Sequence, residues 1–178
     1  MLRVERINPM NTIRAILTRR SIRRFRPEPV PRQLIDELLK AAMHAPSAGN
    51  QQPWHFVVVD ERGLLDRVPG FHPHASMCRE APLGILVCGD LQLETHEGMW
   101  MQDCAAAAQN LMLAAHDKGL GSVWVSSYPR PDRMEGFRAL VHLPEQVLPL
   151  AFVVIGYPDE APRAGLRFRE ERIHRNRW

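Results

Sequence analysis

The sequence predicts one α/β or α+β domain. Helical and strand-like patterns alternate along the 178 residues, and 45% of the residues are hydrophobic, which is enough for a chain of this length to bury its own core. No internal repeat, low-complexity tract or linker divides the chain. We therefore expect a single domain over residues 1–178.

Two amphipathic helices are predicted near the start of the chain. Asn11 can cap the first helix, which ends near Arg20. Its apolar residues recur three and four positions apart and are Ile13, Ile16 and Leu17. Pro31 opens the second helix, which stops before Pro46. Its apolar stripe comprises Leu34, Ile35, Leu38, Leu39 and Ala42.

Strands and helices are then predicted in alternation. The apolar, β-branched segments that predict strands are 54–59, 83–88, 122–126 and 150–155. Helices are expected between them at 61–68, 100–118 and 131–141, and a loop at 69–74. Gly119 supplies a C-terminal stop for the longest helix. The tail 157–178 lacks apolar periodicity, so we expect it to lie on another part of the protein or on a partner subunit.

Composition excludes several classes of protein. No apolar run approaches the about 18 residues that span a bilayer, and the start lacks the apolar core of a signal peptide, so a cytoplasmic protein without membrane contact is expected. The three cysteines form no C-x-x-C pair, which argues against a disulfide framework or a zinc knuckle. His72, His74 and Cys78 are close in sequence, but no further ligand group completes a metal site.

Common nucleotide and hydrolase motifs are missing from the sequence. Gly119-Leu120-Gly121 begins a G-x-G pattern, but it lacks the third glycine and follows a helix, whereas a Rossmann fingerprint follows a strand. Neither a Walker A motif nor a G-x-S-x-G elbow occurs.

Arginines are concentrated at the end of the first predicted helix. Five of them lie between Arg19 and Arg26, in a chain whose net charge is only +3. They could complement the helix dipole and be solvated, bind a phosphate, or contact nucleic acid. The segment 46–54 is a proline-bracketed turn with several amide side chains, which an ordinary polar connection does not require.

These segments resemble the flavin-dependent nitroreductase family. The resemblance is carried by R-R-S-I-R-R-F at 19–25 and A-P-S-A-G-N-Q-Q-P-W-H-F at 45–56. It continues in order and spacing through 103–111, 119–124, 154–158 and 172–178, and so covers about residues 11 to 178. It implies an α+β subunit, a three-layer α/β/α sandwich around a mixed, mainly antiparallel sheet, and an intertwined homodimer with the 157–178 tail packing on the dimer.

The resemblance also implies FMN at the dimer interface. The FMN-binding residues that it implies are Arg19, Arg20, Ser21, Arg23, Pro46, Ser47, Asn50, Ser126, Ser127, Arg167 and Arg169. Arg20 is expected to place charge near the pyrimidine end of the flavin, and Tyr128 is assigned to the substrate side. The loop with Pro46, Ser47 and Asn50 commonly comes from the partner subunit in this family.

The function implied is electron transfer from NAD(P)H by ping-pong exchange to nitroaromatic, quinone or related electron-poor acceptors. Because flavin carries the chemistry, no catalytic amino acid is expected. One alternative is a specialised flavoprotein of the same fold, for flavin fragmentation or reductive dehalogenation. A remote alternative is a basic nucleic-acid-binding module.

Overall fold

A central four-stranded sheet organises the molecule. The computed structural model describes residues 11–162, 165 and 167–178. The strands are β1 (Trp54–Val59), β2 (Leu83–Asp90), β3 (Gly121–Ser126) and β4 (Val147–Gly156). The helices are α1 (Thr12–Thr18), α2 (Arg32–Met43), α3 (Arg62–Phe71), α4 (Trp100–Asp117) and α5 (Pro131–Val141).

The strand order is β1-β2-β4-β3, and every neighbouring pair is antiparallel. An isolated parallel bridge between Ser21 and Ser122 adds a short contact at the outer edge of β3. β2 and β4 lie in the middle and are almost entirely buried, as expected for strands that are covered on both faces. The α+β class and the mainly antiparallel sheet are therefore confirmed.

Helices cover both faces of the sheet. Successive residues of a strand point to opposite faces, so each strand contributes to two separate apolar clusters. In β4, Val153 packs with α2 and α4, whereas Phe152 packs with α3 and α5. The result is the three-layer α/β/α sandwich.

The long helix α4 is buried along one side. Its buried residues are mostly small or apolar and comprise Trp100, Asp103, Cys104, Ala107, Ala108, Leu111, Met112 and Ala115. The alanine side chains of α4 at this contact are small, so α2 can pack close to α4. Asp103 is the exception in this row, because it is a buried carboxylate only 5% exposed.

Several predicted boundaries need correction. α1 ends at Thr18 rather than near Arg20, because Arg19 already has an extended backbone with ψ 130°. α3 runs to Phe71 through Pro69, since a proline near the end of a helix removes only one of its hydrogen bonds and the His72 amide closes the last turn on Val68.

β4 begins at Val147, three positions before the predicted start at Leu150. Pro149 lies inside it opposite Cys88, where the pairing with β2 shifts register. A proline has no amide to donate to the ladder, so an irregularity in the pairing is where a strand tolerates one.

The first helix leaves its apolar side uncovered. Only Ala15 of α1 is buried, whereas Ile13 and Leu17 are each 65% exposed. None of the helices in the described ranges is long and apolar enough to cross a membrane.

Two glycine substitutions, one in the sheet and one in α3, are expected to have opposite effects on stability. A Cβ on Gly84 would lie 1.9 Å from Cζ of the buried Phe152, so Gly84→Ala is expected to lower the free energy of unfolding by about 1–3 kcal/mol. Gly63→Ala in α3 meets no atom closer than 3.7 Å and is expected to raise it by up to about 1 kcal/mol. Urea unfolding measures both, and equal effects would contradict the packing at Gly84.

Candidate functional site

The buried polar atoms that lack hydrogen-bond partners gather around β3. Within the described residues they are Arg19 Nη1, Ser122 Oγ, Ser127 Oγ and Arg133 Nε. Ser122 belongs to β3 and Ser127 follows it. Arg19 lies two residues before the bridge to Ser122, and Arg133 bonds to the last residue of the strand. Because unpaired buried polar groups are costly, their concentration at one edge indicates a site that binds a polar ligand.

Arg19 and Arg133 are the two cationic side chains of this group. Burial, together with the positive charges of Arg167 and Arg20, lowers the pKa of Arg19. The backbone at Arg19 is fixed to the end of α1, because the Arg19 amide donates to the Ala15 carbonyl at 3.0 Å. A partly buried guanidinium between two other cations is suited to an anion with several oxygen atoms, such as a phosphate.

Thr18 and His116 anchor this arginine segment to the C-terminal end of α4. The Thr18 hydroxyl donates to the Arg14 carbonyl at 2.6 Å, so its oxygen accepts from His116 Nε2 at 2.7 Å. Burial and the charges of Arg19 and Arg20 lower the pKa of His116. His116 is not among the predicted site residues, since a histidine near a helix end carries no signal of what it will contact.

Arg20 has a structural use for part of its side chain. Its Nη1 donates to the carbonyls of Leu17 and Arg19, each at 2.8 Å, and so caps the C-terminal end of α1. The predicted role of Arg20 near the pyrimidine end of the flavin therefore stays a prediction.

The outer edge of β3 is only partly covered. The Ile22 amide donates to the Ser122 carbonyl at 3.0 Å, which places the Ser21 segment on this edge. The chain then leaves β3, because the Arg26 amide donates to the Tyr157 carbonyl beyond β4 at 2.9 Å. The edge from Trp124 to Ser126 is thus left without a neighbouring strand in the described structure.

The direction of the backbone along this edge identifies the free donor. N–H and C=O groups of alternate strand residues point to the same side, so Trp124 and Ser126 face the open edge as Ser122 does. The Ser126 amide therefore points away from β4 and toward the open edge. The amides of Ser127 and Tyr128, in contrast, both donate to the Leu150 carbonyl at 3.0 Å. Ser126 is therefore the predicted residue whose amide is available to a ligand.

A cavity of about 490 Å³ lies at this end of the edge. Its polar lining includes Arg23, His72, His74, Ser76, Ser126 and Arg133, and it contains no carboxylate. Of these six residues, only Arg23 and Ser126 were predicted as site residues. The others come from α5 and from the segment after α3, which sequence patterns do not place beside β3.

The Ser126 carbonyl is held by two side chains. His72 Nε2 donates to it at 2.9 Å and Arg133 Nη1 at 3.1 Å. Burial lowers the pKa of His72, and the charge of Arg133 lowers it further. His72 therefore serves as a neutral donor that fixes the end of β3, and Arg133 carries the charge.

The predicted loop with Pro46, Ser47 and Asn50 is fixed by a different set of bonds. Asp103 Oδ1 accepts from the Ala48 amide at 3.0 Å, and Asp103 Oδ2 accepts from Gln51 Nε2 at 2.6 Å. Gln51 Oε1 in turn accepts from the amides of Thr95 and His96. The amide-rich sequence of this loop is thus partly structural.

Within the loop, Ser47 and Asn50 both bond to Gln52. Ser47 Oγ accepts from the Gln52 amide at 3.1 Å, and Asn50 Oδ1 accepts from Gln52 Nε2 at 3.0 Å. Gly49 has a φ of 51°, and a Cβ there would lie 2.3 Å from Cε1 of His96. Pro46 and Asn50 are exposed at the surface.

One subunit does not bring all predicted residues together. Asp103 holds the loop near the start of α4, whereas His116 holds the arginine segment at its end. These residues are 13 positions apart in the helix, which corresponds to about 20 Å at 1.5 Å per residue. The loop and the arginine segment therefore lie at opposite ends of α4.

The remaining predicted residues occupy the end of β3 and the tail. Tyr128 is half-buried and packs edge-on against Trp100 with ring centroids 5.1 Å apart. Arg169 is paired with Glu171 at 4.0 Å, whereas Arg167 lies close enough to lower the pKa of Arg19. The tail also exposes Phe168 and Trp178, which are 73% and 102% exposed.

Metal or thiol chemistry has no support in the described ranges. They contain no group of three His, Cys, Asp or Glu residues that could hold a metal ion. All three cysteines are buried, and burial raises the pKa of Cys78 and Cys88 to about 12. Such thiols are unreactive.

Comparison with known proteins gives a consistent family. The model of the nitroreductase family matches residues 16–69 and 71–157. A protein of Methanothermobacter thermautotrophicus, provisionally named NADH dehydrogenase/NAD(P)H nitroreductase, is 46% identical over 173 residues, which are 97% of this chain and 91% of that protein. An iodotyrosine deiodinase of Thermotoga neapolitana is 30% identical over 168 residues, with 80% of this chain and 86% of that protein covered.

A solved structure gives the same result. An FMN-dependent nitroreductase of Clostridium difficile superposes with a TM-score of 0.86 at 28% identity, and the match covers 93% of this chain and 99% of that one. Fold, motifs and sequence similarity agree over nearly the whole chain, and this protein belongs to the nitroreductase family.

Proposed function

We propose that this protein is an FMN-dependent oxidoreductase that takes electrons from NAD(P)H and passes them to nitroaromatic, quinone or related electron-poor acceptors. The observation that carries the proposal is the group of unpartnered buried polar atoms on and beside β3, with the cationic Arg19 near one end of the strand. Flavin supplies the redox chemistry when it is bound, so the protein has to bind and orient two substrates in turn. Ping-pong exchange follows if both substrates use the same open face of the ring.

The residues along this edge fit FMN. The clustered positive charges of Arg19, Arg20 and Arg167 suit the phosphate. The cavity at Ser126 lies about 13 Å further along β3, at 3.3 Å per residue from Ser122. FMN carries its phosphate and its ring at opposite ends of a ribityl chain, so one molecule satisfies both places. In this arrangement Ser21 faces the ribityl chain between the phosphate and the ring.

Membership of the nitroreductase family supports a homodimeric site. We propose that Pro46, Ser47 and Asn50 reach the FMN that is bound by the arginine segment of the other subunit; within one chain this loop and that segment lie about 20 Å apart. The uncovered apolar side of α1 and the exposed Phe168 and Trp178 are surfaces that such a partner would cover.

A specialised activity is the second candidate. The similarity to an iodotyrosine deiodinase favours it, since that relative is 30% identical over most of both chains. The same FMN site would then serve another acceptor.

The nucleic-acid hypothesis finds little support in the geometry. Arg24 is paired with Glu80 at 3.2 Å and Arg26 with Glu28 at 3.8 Å. Arg19 is partly buried, so the five arginines do not form one exposed basic surface.

An anaerobic titration tests the electron-transfer cycle. Protein reconstituted with FMN is expected to lose flavin absorbance when NADH or NADPH is added, and to recover it when a nitroaromatic or quinone follows. Bound flavin that neither nucleotide reduces would favour the specialised activity. Protein that binds no FMN would reject the proposal.

Arg19→Ala tests the phosphate subsite. Loss of a hydrogen bond to a charged group is expected to weaken FMN binding by about 1–3 kcal/mol, with the fold retained. Riboflavin, which has no phosphate, should bind equally well before and after the change. Arg26→Ala is the matched control, because Arg26 is already paired with Glu28. Unchanged FMN affinity in Arg19→Ala, measured by fluorescence quenching, would exclude this role.

A subunit-mixing experiment tests the shared site. Arg19→Ala and Asn50→Trp are each expected to bind FMN poorly as homodimers. Equal mixing and reassembly should restore about a quarter of the sites, because each hybrid has one site with both residues intact. If both residues come from the same subunit, mixing restores no binding.

A further inference from the structure

The cavity at the end of β3 contains an anchored positive charge that the predicted FMN residues do not include. Arg133 of α5 donates through Nη1 to the Ser126 carbonyl at 3.1 Å. Its Nε is buried and has no partner among the described residues. One nitrogen therefore fixes the guanidinium against the open strand edge, and another is removed from solvent without a hydrogen-bond partner in the described structure.

Arg133 forms no salt bridge with a carboxylate of the described residues. The lining of the cavity contains Arg23 and Arg133 but no Asp or Glu. The nearest acidic residue in sequence, Asp132, is paired with Arg130 at 3.5 Å. No ion pair of Arg133 occurs within the described ranges, so its charge is uncompensated at a partly buried position.

The other basic groups at the cavity are less suited to act on a bound ligand. Burial lowers the pKa of His72, which uses Nε2 to hold the Ser126 carbonyl and accepts from the His74 amide at Nδ1. Arg23 is exposed, and its side chain has no anchoring bond in the described structure. Arg133 combines full charge with a fixed position.

An uncompensated, half-buried cation favours a ligand that is electron-rich or becomes negatively charged. The flavin ring meets this condition during the proposed reaction. Transfer of one hydride from NAD(P)H leaves NAD(P)⁺ and adds two electrons and one proton to the flavin, so the ring gains one negative charge. A cation beside the ring binds this reduced form more tightly than the oxidised form.

We propose that Arg133 is a flavin-binding residue that stabilises the negative charge of the reduced ring, and this inference rests on the proposed FMN-dependent function. It extends the site beyond the arginine segment, because the charge comes from α5 across the open edge of β3. Arg133 then sets how strongly the protein favours reduced over oxidised FMN.

The experiment compares dissociation constants of oxidised and dithionite-reduced FMN for wild-type protein and for Arg133→Gln, Arg133→Met and Arg133→Lys. Arg130→Gln is the matched control, since it removes the same charge from the same end of α5 but from an exposed, ion-paired side chain. In both neutral variants the ratio of the reduced to the oxidised constant should rise about tenfold. For a two-electron couple this corresponds to a midpoint potential about 30 mV more negative.

Arg133→Lys and Arg130→Gln should keep the ratio within about threefold of wild type, because a positive charge at the cavity is retained. An unchanged ratio in the neutral variants, or equal weakening of both constants, would show a structural role and overturn the proposal. If neither neutral variant folds, Arg133→Lys remains a test, since a tenfold change in its ratio would overturn the proposal. Wild-type protein that binds no FMN would instead overturn the proposed function itself.

Discussion

The buried helix α4 is the constraint on which the arrangement of the site depends. Its C-terminal end holds the arginine segment through the hydrogen bond between Thr18 and His116. Its N-terminal end holds the 46–52 loop through Asp103. Alanine-rich packing against α2 and the sheet keeps the helix in place. The arginine segment and the 46–52 loop are therefore held at opposite ends of α4.

The outer edge of β3 is where the protein leaves polar groups unsatisfied. Elsewhere in the described structure the buried side-chain polar atoms have partners, whereas the four exceptions flank this strand. Stable folds rarely tolerate such groups unless a ligand completes them. The Ser126 carbonyl accepts hydrogen bonds from His72 and Arg133. These bonds lower the free-energy cost of the uncovered edge, while the Ser126 amide still points toward it. The edge is thus rigid and open to a ligand.

Much of the fold could be predicted from residue patterns. In the part of the chain that the structure describes, α1–α5 and β1–β4 lie close to where apolar periodicity places them, because burial of one helix stripe or of a whole strand leaves a clear pattern. Besides the end of α1, the boundary errors fall at Pro69 and Pro149, where a local rule suggested an end to the element. Tertiary packing outweighed it, since α3 closes its last turn on Val68 and β4 absorbs its proline at a shift in register.

The candidate site was only partly predictable. The sequence alone determined the family and the local concentration of charge at Arg19 and Arg20, because these residues are adjacent in the chain and belong to recognisable motifs. Only the tertiary structure decided that Asp103 fixes the amide-rich loop, that His72 and Arg133 meet at Ser126, and that Arg20 partly caps its own helix. The physical reason is that hydrogen bonds between residues distant in sequence depend on how helices pack across the sheet, and no local pattern records that packing.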